Sequence, residues 1–340
     1  MKATDISVEY STIDGTPVKA VNKASFHLEH GEVLGVAGES GCGKSTLAAA
    51  LSGNSAGNMT ITGGTVSLDE TSAIDLAETQ GIPRHLRGST ISLLPQRALN
   101  SLNPTARIGD FAFDVLRSHD RKVTRRQALE KTGDRLDQLG LPRRVLESYP
   151  HQLSGGMRQR VVTVVSTLLD PQILIADEPT SALDVSSQKA LVLMLQKMLR
   201  DGMLSRSIFI THDLALLSNI ATRIAIMYAG EIVEMNTTEE IVHRPQHPYT
   251  QALLAATLEP DPRIRNSRIT GLTGQSPDMR RPPSGCRFHP RCPYAMPICA
   301  EIRPDATVIG AGFAHCWLLD PDLDPAQRSL SGNREEAVIR

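Results

Sequence analysis

The sequence predicts an α/β protein with four parts. These are a largely parallel sheet, antiparallel strands before it, a helical insertion within it, and a small irregular C-terminal region that contains cysteines. Short apolar runs such as Ile173–Ala176 and Ser207–Ile210 alternate with helical stretches, which is typical of a parallel sheet. A glycine-rich turn joins a strand to a helix near residue 38, and the composition changes after residue 235. The 340 residues are enough for one large domain and a smaller appendage.

Residues 1–35 alternate apolar and polar side chains, with Ile6, Val8 and Tyr10 on one face. Turn residues interrupt this alternation at Asp14-Gly15 and at His30-Gly31. The N-terminal region is therefore predicted to form antiparallel strands.

The strand Glu32–Val36 runs into Gly38-Glu-Ser-Gly-Cys-Gly-Lys44-Ser45, and a helix is predicted over Lys44–Leu51. The pattern G-x-x-x-x-G-K-[ST] in this context predicts a P-loop, in which backbone N–H groups surround phosphate oxygens and the lysine reaches the β- and γ-phosphates. The serine hydroxyl is a ligand for Mg²⁺, and a chance glycine-rich turn is the alternative. The residues expected to contact ATP here are Gly38, Ser40, Gly41, Gly43, Lys44, Ser45 and Thr46.

A second phosphate-site motif is the apolar strand from Ile173 that ends in Asp177 and Glu178. Asp177 is expected to hold Mg²⁺, as the equivalent carboxylate does in P-loop enzymes. Glu178 is expected to polarise the water that attacks the γ-phosphate. A solvated strand end is the alternative interpretation.

The region of about 97–160 is interpreted as a helical insertion. Thr124 and Gln127 form a capping box, Leu129, Thr132, Leu136 and Leu139 follow at helical spacing, and Gly140 ends the helix. A second helix begins in Leu153-Ser-Gly-Gly-Met-Arg-Gln159. There Ser154, Gly155 and Gly156 offer a hydroxyl and N–H groups to an anion, or else form an ordinary N-cap.

The LSGGxxQ stretch between the two phosphate motifs resembles the signature of ABC ATPases, and the resemblance covers residues 1–235. It implies that the signature contacts the γ-phosphate of ATP held by the other subunit of a dimer. It also implies that Gln96 contacts Mg²⁺ and the attacking water, and that its loop touches membrane subunits. Pro95-Gln96-Arg97 departs from the more usual Phe-Gln-Asp of that loop. Three further roles follow: Tyr10 stacks on adenine, the loop Ser181–Asp184 couples the two ATP sites, and His212 contacts the γ-phosphate.

Residues 236–340 resemble the C-terminal extension of the peptide/nickel importer ATPases. The resemblance rests on His247-Pro-Tyr-Thr250 with Leu253-Leu254, on Gly285–Pro293 and on Ser101-Leu-Asn-Pro104. It implies an ATPase that energises import of di- and oligopeptides with a second, usually paralogous ATPase, two permease subunits and an extracytoplasmic peptide-binding protein. Another small solute such as a nickel chelate is the alternative. A soluble ABC ATPase of translation or repair is less favoured, because the chain has one P-loop and no heptad tract.

Four cysteines lie in this extension, at positions 286, 292, 299 and 316, whereas Cys42 stands alone. Four thiolates suit zinc or an iron–sulfur cluster, and the short C-x₂₋₄-C pairs typical of structural zinc sites are absent. The family resemblance points to a [4Fe–4S] cluster, with zinc second and separate buried thiols as the remaining alternative. Arginines that can offset the charge of such a cluster, or else belong to a solvated, flexible linker, are Arg263, Arg265, Arg268, Arg280, Arg281, Arg287 and Arg291, and Asp278 is the one acid between the first and the last of them.

Composition limits the other classes of function. Hydrophobic residues make up 40%, and the formal net charge of −1 disfavours a nucleic-acid partner. The N-terminus lacks the features of a signal peptide, and no apolar run has the length of a membrane span. We therefore expect a peripheral protein on the cytoplasmic face of the plasma (inner) membrane, held there by other chains.

Overall fold

The computed structural model describes residues 1–69, 72–96, 102–256 and 274–323. The predictions that involve Arg97, Ser101, Arg263, Arg265 and Arg268 lie outside these residues. The described strands are β1 Lys2–Tyr10, β2 Val18–His27, β3 Val33–Ala37, β4 Met59–Ser67, β5 Ala73–Asp75, β6 Ile91–Leu94, β7 Ile173–Asp177, β8 Arg206–Ile210, β9 Arg223–Tyr228, β10 Glu231–Thr237, β11 Thr307–Ile309 and β12 Gly312–Ala314. The described α-helices are α1 Lys44–Ser52, α2 Leu76–Thr79, α3 Ile108–His119, α4 Arg125–Gln138, α5 Gly155–Ser166, α6 Val185–Arg200, α7 Leu214–Ile220, α8 Thr238–His243, α9 Pro248–Ala255 and α10 Pro297–Glu301.

The strands form two sheets. The smaller sheet has the order β2-β1-β4-β5 with antiparallel neighbours, as expected for the N-terminal region. The larger sheet has the order β11-β12-β10-β9-β3-β8-β7-β6, in which β9, β3, β8, β7 and β6 run parallel. The α/β fold with a parallel core is therefore confirmed.

Both faces of the parallel strands are buried. In β7, Leu174 and Ala176 pack into one hydrophobic cluster together with the helices of the insertion, whereas Ile173 and Ile175 pack into a second cluster with α1 and the small sheet. Strands buried on both faces read as continuous apolar runs rather than as an alternating pattern. This explains why β7 and β8 were predicted within one residue of their observed starts.

The helical insertion contains α3, α4 and α5. Thr124 is the N-cap of α4, and its reciprocal capping box with Gln127 is present. The helix ends at Gln138, and Gly140 adopts a left-handed backbone with φ of 70°. The sequence signals at both ends of α4 are thus confirmed.

The C-terminal extension continues the large sheet, because β12 pairs with β10 and β11 pairs with β12, all antiparallel. An aromatic cluster joins the extension to the core. The rings of Tyr228 and Tyr249 lie 4.6 Å apart, and Phe288 lies 5.2 Å from Tyr228 and 5.4 Å from Tyr249. The division into 1–235 and 236–340 remains a prediction, and that boundary falls within β10.

Candidate functional site

The P-loop follows β3 and turns sharply before α1. Gly38 and Gly43 have φ of 152° and 108°, and a Cβ atom would lie 2.1 Å from the Met227 carbonyl oxygen at Gly38 and 2.3 Å from the Ala20 carbonyl oxygen at Gly43. Only glycine fits where another backbone approaches this closely. The loop is therefore shaped by contact with β9 and β2.

A cavity of about 610 Å³ opens at this loop, at the carboxyl ends of the parallel strands. Ligands of open α/β sheets bind at this edge. The cavity brings together most of the residues that were predicted from the sequence to form the nucleotide site. It is lined by Tyr10, Val18, Ala20, Ser40, Gly41, Gly43, Lys44, Ser45, Thr46, Gln96, Glu178, Ser181, His212 and Met279.

Lys44 and Ser45 already contact polar partners. Lys44 Nζ donates to the carbonyl oxygens of Gly38 and Glu39 at 2.8 and 2.9 Å. The Ser45 hydroxyl donates to Asp177 Oδ1 at 3.1 Å. Burial raises the pKa of the Asp177 carboxyl, the Ser45 hydrogen bond opposes this shift, and the neighbouring Glu178 adds to it. A hydroxyl and one carboxylate are ligands that Mg²⁺ accepts alongside phosphate oxygens and water.

Glu178 faces His212 rather than Asp177. His212 Nδ1 lies 2.9 and 3.0 Å from the two carboxylate oxygens of Glu178, whose side chain is 9% exposed. Glu178 has a left-handed backbone with φ of 48°, and its N–H donates to the Ile210 carbonyl oxygen at 2.9 Å. The two adjacent carboxylates therefore point to different neighbours, as the sequence predicted.

The cavity is also lined by Tyr10 and by Met279, a residue that was not predicted from the sequence. The Tyr10 hydroxyl lies 3.2 Å from Thr46 Oγ1. Met279 joins them from the extension, where its carbonyl oxygen accepts the Lys19 N–H at 3.2 Å. Met279 lies 235 residues after Lys44, in a stretch whose composition is typical of a linker. No sequence pattern therefore associated it with the nucleotide site.

The signature residues do not line this cavity. Ser154 is the N-cap of α5 and accepts the Met157 N–H, and Asp184 is the N-cap of α6 and accepts the Ser187 N–H. Hydrogen bonds from Ser186 and Ser187 lower the pKa of the Asp184 carboxyl to about 2. A Cβ on Gly155 would have no atom within 4 Å, whereas one on Gly156 would lie 2.3 Å from Ser187 Oγ. Among the described residues, therefore, a side chain at position 155 would meet no neighbour, whereas one at position 156 would collide with Ser187.

The four extension cysteines line one small cavity, of about 10 Å³, together with His247 and Phe288. All are free thiols. Burial raises the pKa of Cys286 to about 11 and those of Cys292 and Cys316 to about 12, so that a cation is needed to favour their thiolates. The described residues contain no group of three or more His, Cys, Asp or Glu side chains arranged to hold a metal ion.

The four thiols are therefore the kind of ligand that binds a metal ion or an iron–sulfur cluster as thiolates. In this structure, however, they are not arranged as a complete set of ligands. A cavity of this size holds about one water molecule. A single ion requires the thiols to converge, and a cubane cluster requires them to open outward.

Several arginines near these cysteines are already paired with acids. Arg280 binds Asp278, and Arg287 and Arg303 both bind Glu231. Arg291 binds Glu39 of the P-loop. Glu231 and Glu39, which pair with Arg287 and Arg291, lie far from these arginines in the sequence. A count of the charges within the local stretch therefore missed both pairs.

The buried parallel sheet, the P-loop cavity and the separate LSGGxxQ helix define an ATPase of the ATP-binding cassette class. A family model described as "ABC transporter" matches residues 21–181, and one described as "Oligopeptide/dipeptide transporter, C-terminal region" matches residues 233–299. The chain belongs to the ABC transporter ATP-binding proteins, in the family of the dipeptide and oligopeptide transport members, and it is an ATP-hydrolysing enzyme.

Three relatives illustrate the family. The dipeptide transport ATP-binding protein DppD of Lactococcus lactis subsp. cremoris (strain MG1363) is 39% identical over 94% of this chain and 91% of that protein. DppD of Bacillus subtilis (strain 168) is 36% identical over 99% of both chains. The oligopeptide transport ATP-binding protein OppF of Escherichia coli (strain K12) is 38% identical over 94% of this chain and 96% of that protein.

Among solved structures, the dimeric bacterial ABC transporter cassette MJ0796 matches with a TM-score of 0.59 and 21% identity, over 70% of this chain and 98% of that one. A post-hydrolysis state of that cassette, bound to ADP and Pi, matches with a TM-score of 0.57 and 23% identity, over the same shares of the two chains. These similarities confirm the cassette fold. In the described part of this chain, no helix combines the length and apolarity that crossing a membrane requires.

Proposed function

We propose that the chain is the ATP-hydrolysing subunit of an importer for dipeptides and oligopeptides. The observation that carries the proposal is the extension after β10, which matches the C-terminal region of peptide transporters. Relatives named for dipeptide and oligopeptide transport align over nearly the whole chain, the extension included. An importer of another small solute, such as a nickel chelate, uses the same motor and is the second candidate.

In this proposal the cavity binds ATP with its triphosphate on the P-loop. The backbone N–H groups of the loop and Lys44 contact the phosphates, and Tyr10 stacks on adenine. Ser45, Asp177 and Gln96 hold Mg²⁺, which neutralises charge on the phosphates when it is bound. The Ser45–Asp177 hydrogen bond of 3.1 Å supports this set, because it places two of the oxygen ligands side by side.

Glu178 polarises the attacking water, and His212 contacts the γ-phosphate. Their hydrogen bond fixes the Glu178 carboxylate at the cavity wall, so that it is oriented before the substrate arrives. The His212 side chain is 67% exposed, so a bound phosphate can reach the ring while it remains hydrogen-bonded to Glu178.

The second half of each ATP site comes from another ATPase subunit. Ser154, Gly155 and Gly156 would meet the γ-phosphate held by the partner, and the Ser181–Asp184 loop would couple the two sites. Gly155 supports this arrangement, because an added Cβ at this position would meet no atom of the described residues within 4 Å. The partner is proposed to be a paralogue rather than an identical chain.

The complete transporter adds two permease subunits and an extracytoplasmic peptide-binding protein. It places this chain peripherally on the cytoplasmic face of the plasma (inner) membrane. The Gln96 loop is the proposed contact with the permeases.

Uptake of labelled peptides tests the transport proposal. Cells that lack the chain should lose uptake of a labelled dipeptide or oligopeptide and regain it with the wild-type chain, but not with Lys44→Ala. Labelled nickel chelate is measured in parallel. Normal peptide uptake without the chain, together with loss of nickel uptake, would replace the peptide importer with the second candidate.

We also propose that the cysteines at positions 286, 292, 299 and 316 bind a [4Fe–4S] cluster, with zinc as the alternative. The lining of one cavity by all four thiols supports a shared ligand. The site lies outside the nucleotide cavity, so its proposed role is structural closure of the extension.

Anaerobic purification followed by iron, sulfide and zinc analysis tests this site. About four irons and four sulfides per chain, with a visible band that bleaches on reduction, support the cluster. Stoichiometric zinc without sulfide replaces it with a zinc site, and absence of both leaves four buried thiols. Cys299→Ser should lose the bound group, whereas Cys42→Ser should keep it.

A further inference from the structure

The second residue of the P-loop, Glu39, is held by side chains of the C-terminal extension. Its backbone N–H donates to the Tyr249 hydroxyl at 2.8 Å. Arg291 Nη1 donates to Glu39 Oε2 at 2.7 Å, and Arg291 Nη2 donates to Glu39 Oε1 at 2.9 Å. The Ser276 hydroxyl adds a third donor to the carboxylate at 3.2 Å. Side chains of the extension thus form hydrogen bonds with both the backbone and the side chain of Glu39.

Arg291 is itself rigidly placed. Its side chain is 6% exposed, its guanidinium carbon lies 5.7 Å from the centre of the Tyr228 ring, and Nη1 lies 3.3 Å from the Tyr228 hydroxyl. Tyr228 is buried at the end of β9, beside the strand that leads into the P-loop. A bidentate guanidinium–carboxylate contact fixes the relative orientation of the two groups as well as the distance between them.

The charge of Glu39 makes this contact matter for nucleotide binding. The hydrogen bonds from Arg291 hold the pKa of the Glu39 carboxyl below its usual range, so that the group stays ionised. An ionised carboxylate within the P-loop repels a triphosphate unless a cation balances it. Lys44, whose Nζ donates to the Glu39 carbonyl oxygen at 2.9 Å, also depends on the position of this residue.

We infer that Arg291 is a positioning residue of the nucleotide site. It neutralises Glu39 and holds the P-loop in its phosphate-binding shape, so that the extension takes part in ATP binding through Glu39 without touching ATP. The inference rests on the phosphate-binding role proposed for the P-loop. It gives the stretch between Cys286 and Cys292 a task in the reaction of the core domain.

The test measures the affinity of the full chain for Mg-ATP, together with thermal unfolding without nucleotide. Arg291→Met should weaken ATP binding by about tenfold or more, because a small displacement of positioning groups is costly. Arg291→Lys should recover part of the lost affinity, since it restores the positive charge but not the two parallel hydrogen bonds of a guanidinium. Arg303→Met is the matched control, because Arg303 is another extension arginine that binds a core carboxylate, Glu231 at 3.3 Å, and Glu231 is not a residue of the P-loop.

Adding Glu39→Gln to Arg291→Met separates positioning from simple damage to the fold. The double variant has no unbalanced negative charge in the P-loop, so it should bind ATP more tightly than Arg291→Met alone. It also avoids an unpaired charge in the half-buried contact, so it remains a usable probe if the single variant does not fold.

Wild-type ATP affinity in Arg291→Met would overturn the inference, provided that Lys44→Ala loses binding in the same assay. A loss in Arg291→Met that Glu39→Gln leaves unchanged, or an equal loss in Arg303→Met, would reduce Arg291 to a merely structural role. Undiminished binding by Lys44→Ala would overturn the proposed role of the P-loop itself, and the inference with it.

Discussion

Glu178, the proposed general base, has an unfavourable backbone conformation. A left-handed conformation at a residue other than glycine costs on the order of 1–3 kcal/mol and persists only where the surroundings enforce it. Here β8 enforces it, through the hydrogen bond from the Glu178 N–H to the Ile210 carbonyl oxygen. This turn directs Glu178 to His212 while Asp177 faces Ser45. The motif identified both acids from the sequence, but the strain that separates them follows from neighbouring strands.

Replacement of Glu178 by glutamine tests its proposed role. Glu178→Gln keeps the shape of the side chain but removes the base, so ATP binding should persist while hydrolysis falls by about 10²–10⁴-fold. An ATP-bound dimer should accumulate. Steady-state phosphate release and nucleotide retention measure the two effects, with the exposed Glu29→Gln as the control. Near-normal turnover in the assembled transporter would remove Glu178 from this role.

Met279 should contribute to recognition of the base rather than of the phosphates. It lines the cavity together with Tyr10, the residue proposed to stack on adenine. Met279→Ala removes apolar contact area, so affinity for ATP and ADP should fall severalfold while affinity for inorganic tripolyphosphate stays unchanged. Competition against a fluorescent nucleotide measures all three. Equal weakening of tripolyphosphate would mean that the substitution disturbs the P-loop instead.

The secondary-structure elements that the sequence predicted are those with strong local signals. The start of α4 followed from a capping box, and β7 and β8 followed from apolar runs buried on both faces. The strands β11 and β12 have three residues each, too few for a periodic pattern, and they form because the free edge of β10 pairs with β12, which in turn pairs with β11. Their place in the large sheet was therefore not predictable from local sequence.

Two adjacent glycines at the start of α5 should respond differently to alanine. Gly156→Ala would press a methyl group against Ser187 of α6, so it should lower the thermal stability of the isolated chain. Gly155→Ala meets nothing in its own chain, so stability should stay within about 0.5 kcal/mol of the wild type. ATP turnover of the assembled complex should nevertheless fall in Gly155→Ala, if the partner subunit's phosphates approach there. Normal turnover in Gly155→Ala would argue that the signature does not face the second ATP site.

Several contacts integrate the extension with the cassette. The extension adds β11 and β12 to the sheet edge, it supplies Met279 to the nucleotide cavity, and it binds Glu39 through Arg291. The sequence separated these regions, because contacts between residues far apart along the chain leave no local pattern. The sequence motifs thus predicted the P-loop and carboxylate residues of the site. The residues of the extension that surround them, Met279 and Arg291, could be identified only in the folded chain.

Each ATP site should require residues from two ATPase subunits, since the described cavity contains Lys44 and Glu178 but not Ser154. A monomeric preparation should therefore be a poor ATPase, and its specific activity should rise with protein concentration or on addition of a partner ATPase. Variants Lys44→Ala and Ser154→Arg should each be inactive alone. If the chain pairs with itself, mixing the two should restore turnover, because one of the two sites in a mixed dimer has an intact P-loop and an intact signature. If the partner is a paralogue, restoration requires that subunit, and this distinguishes the two assemblies. Efficient hydrolysis by a demonstrably monomeric preparation, with a rate linear in concentration, would contradict the shared site.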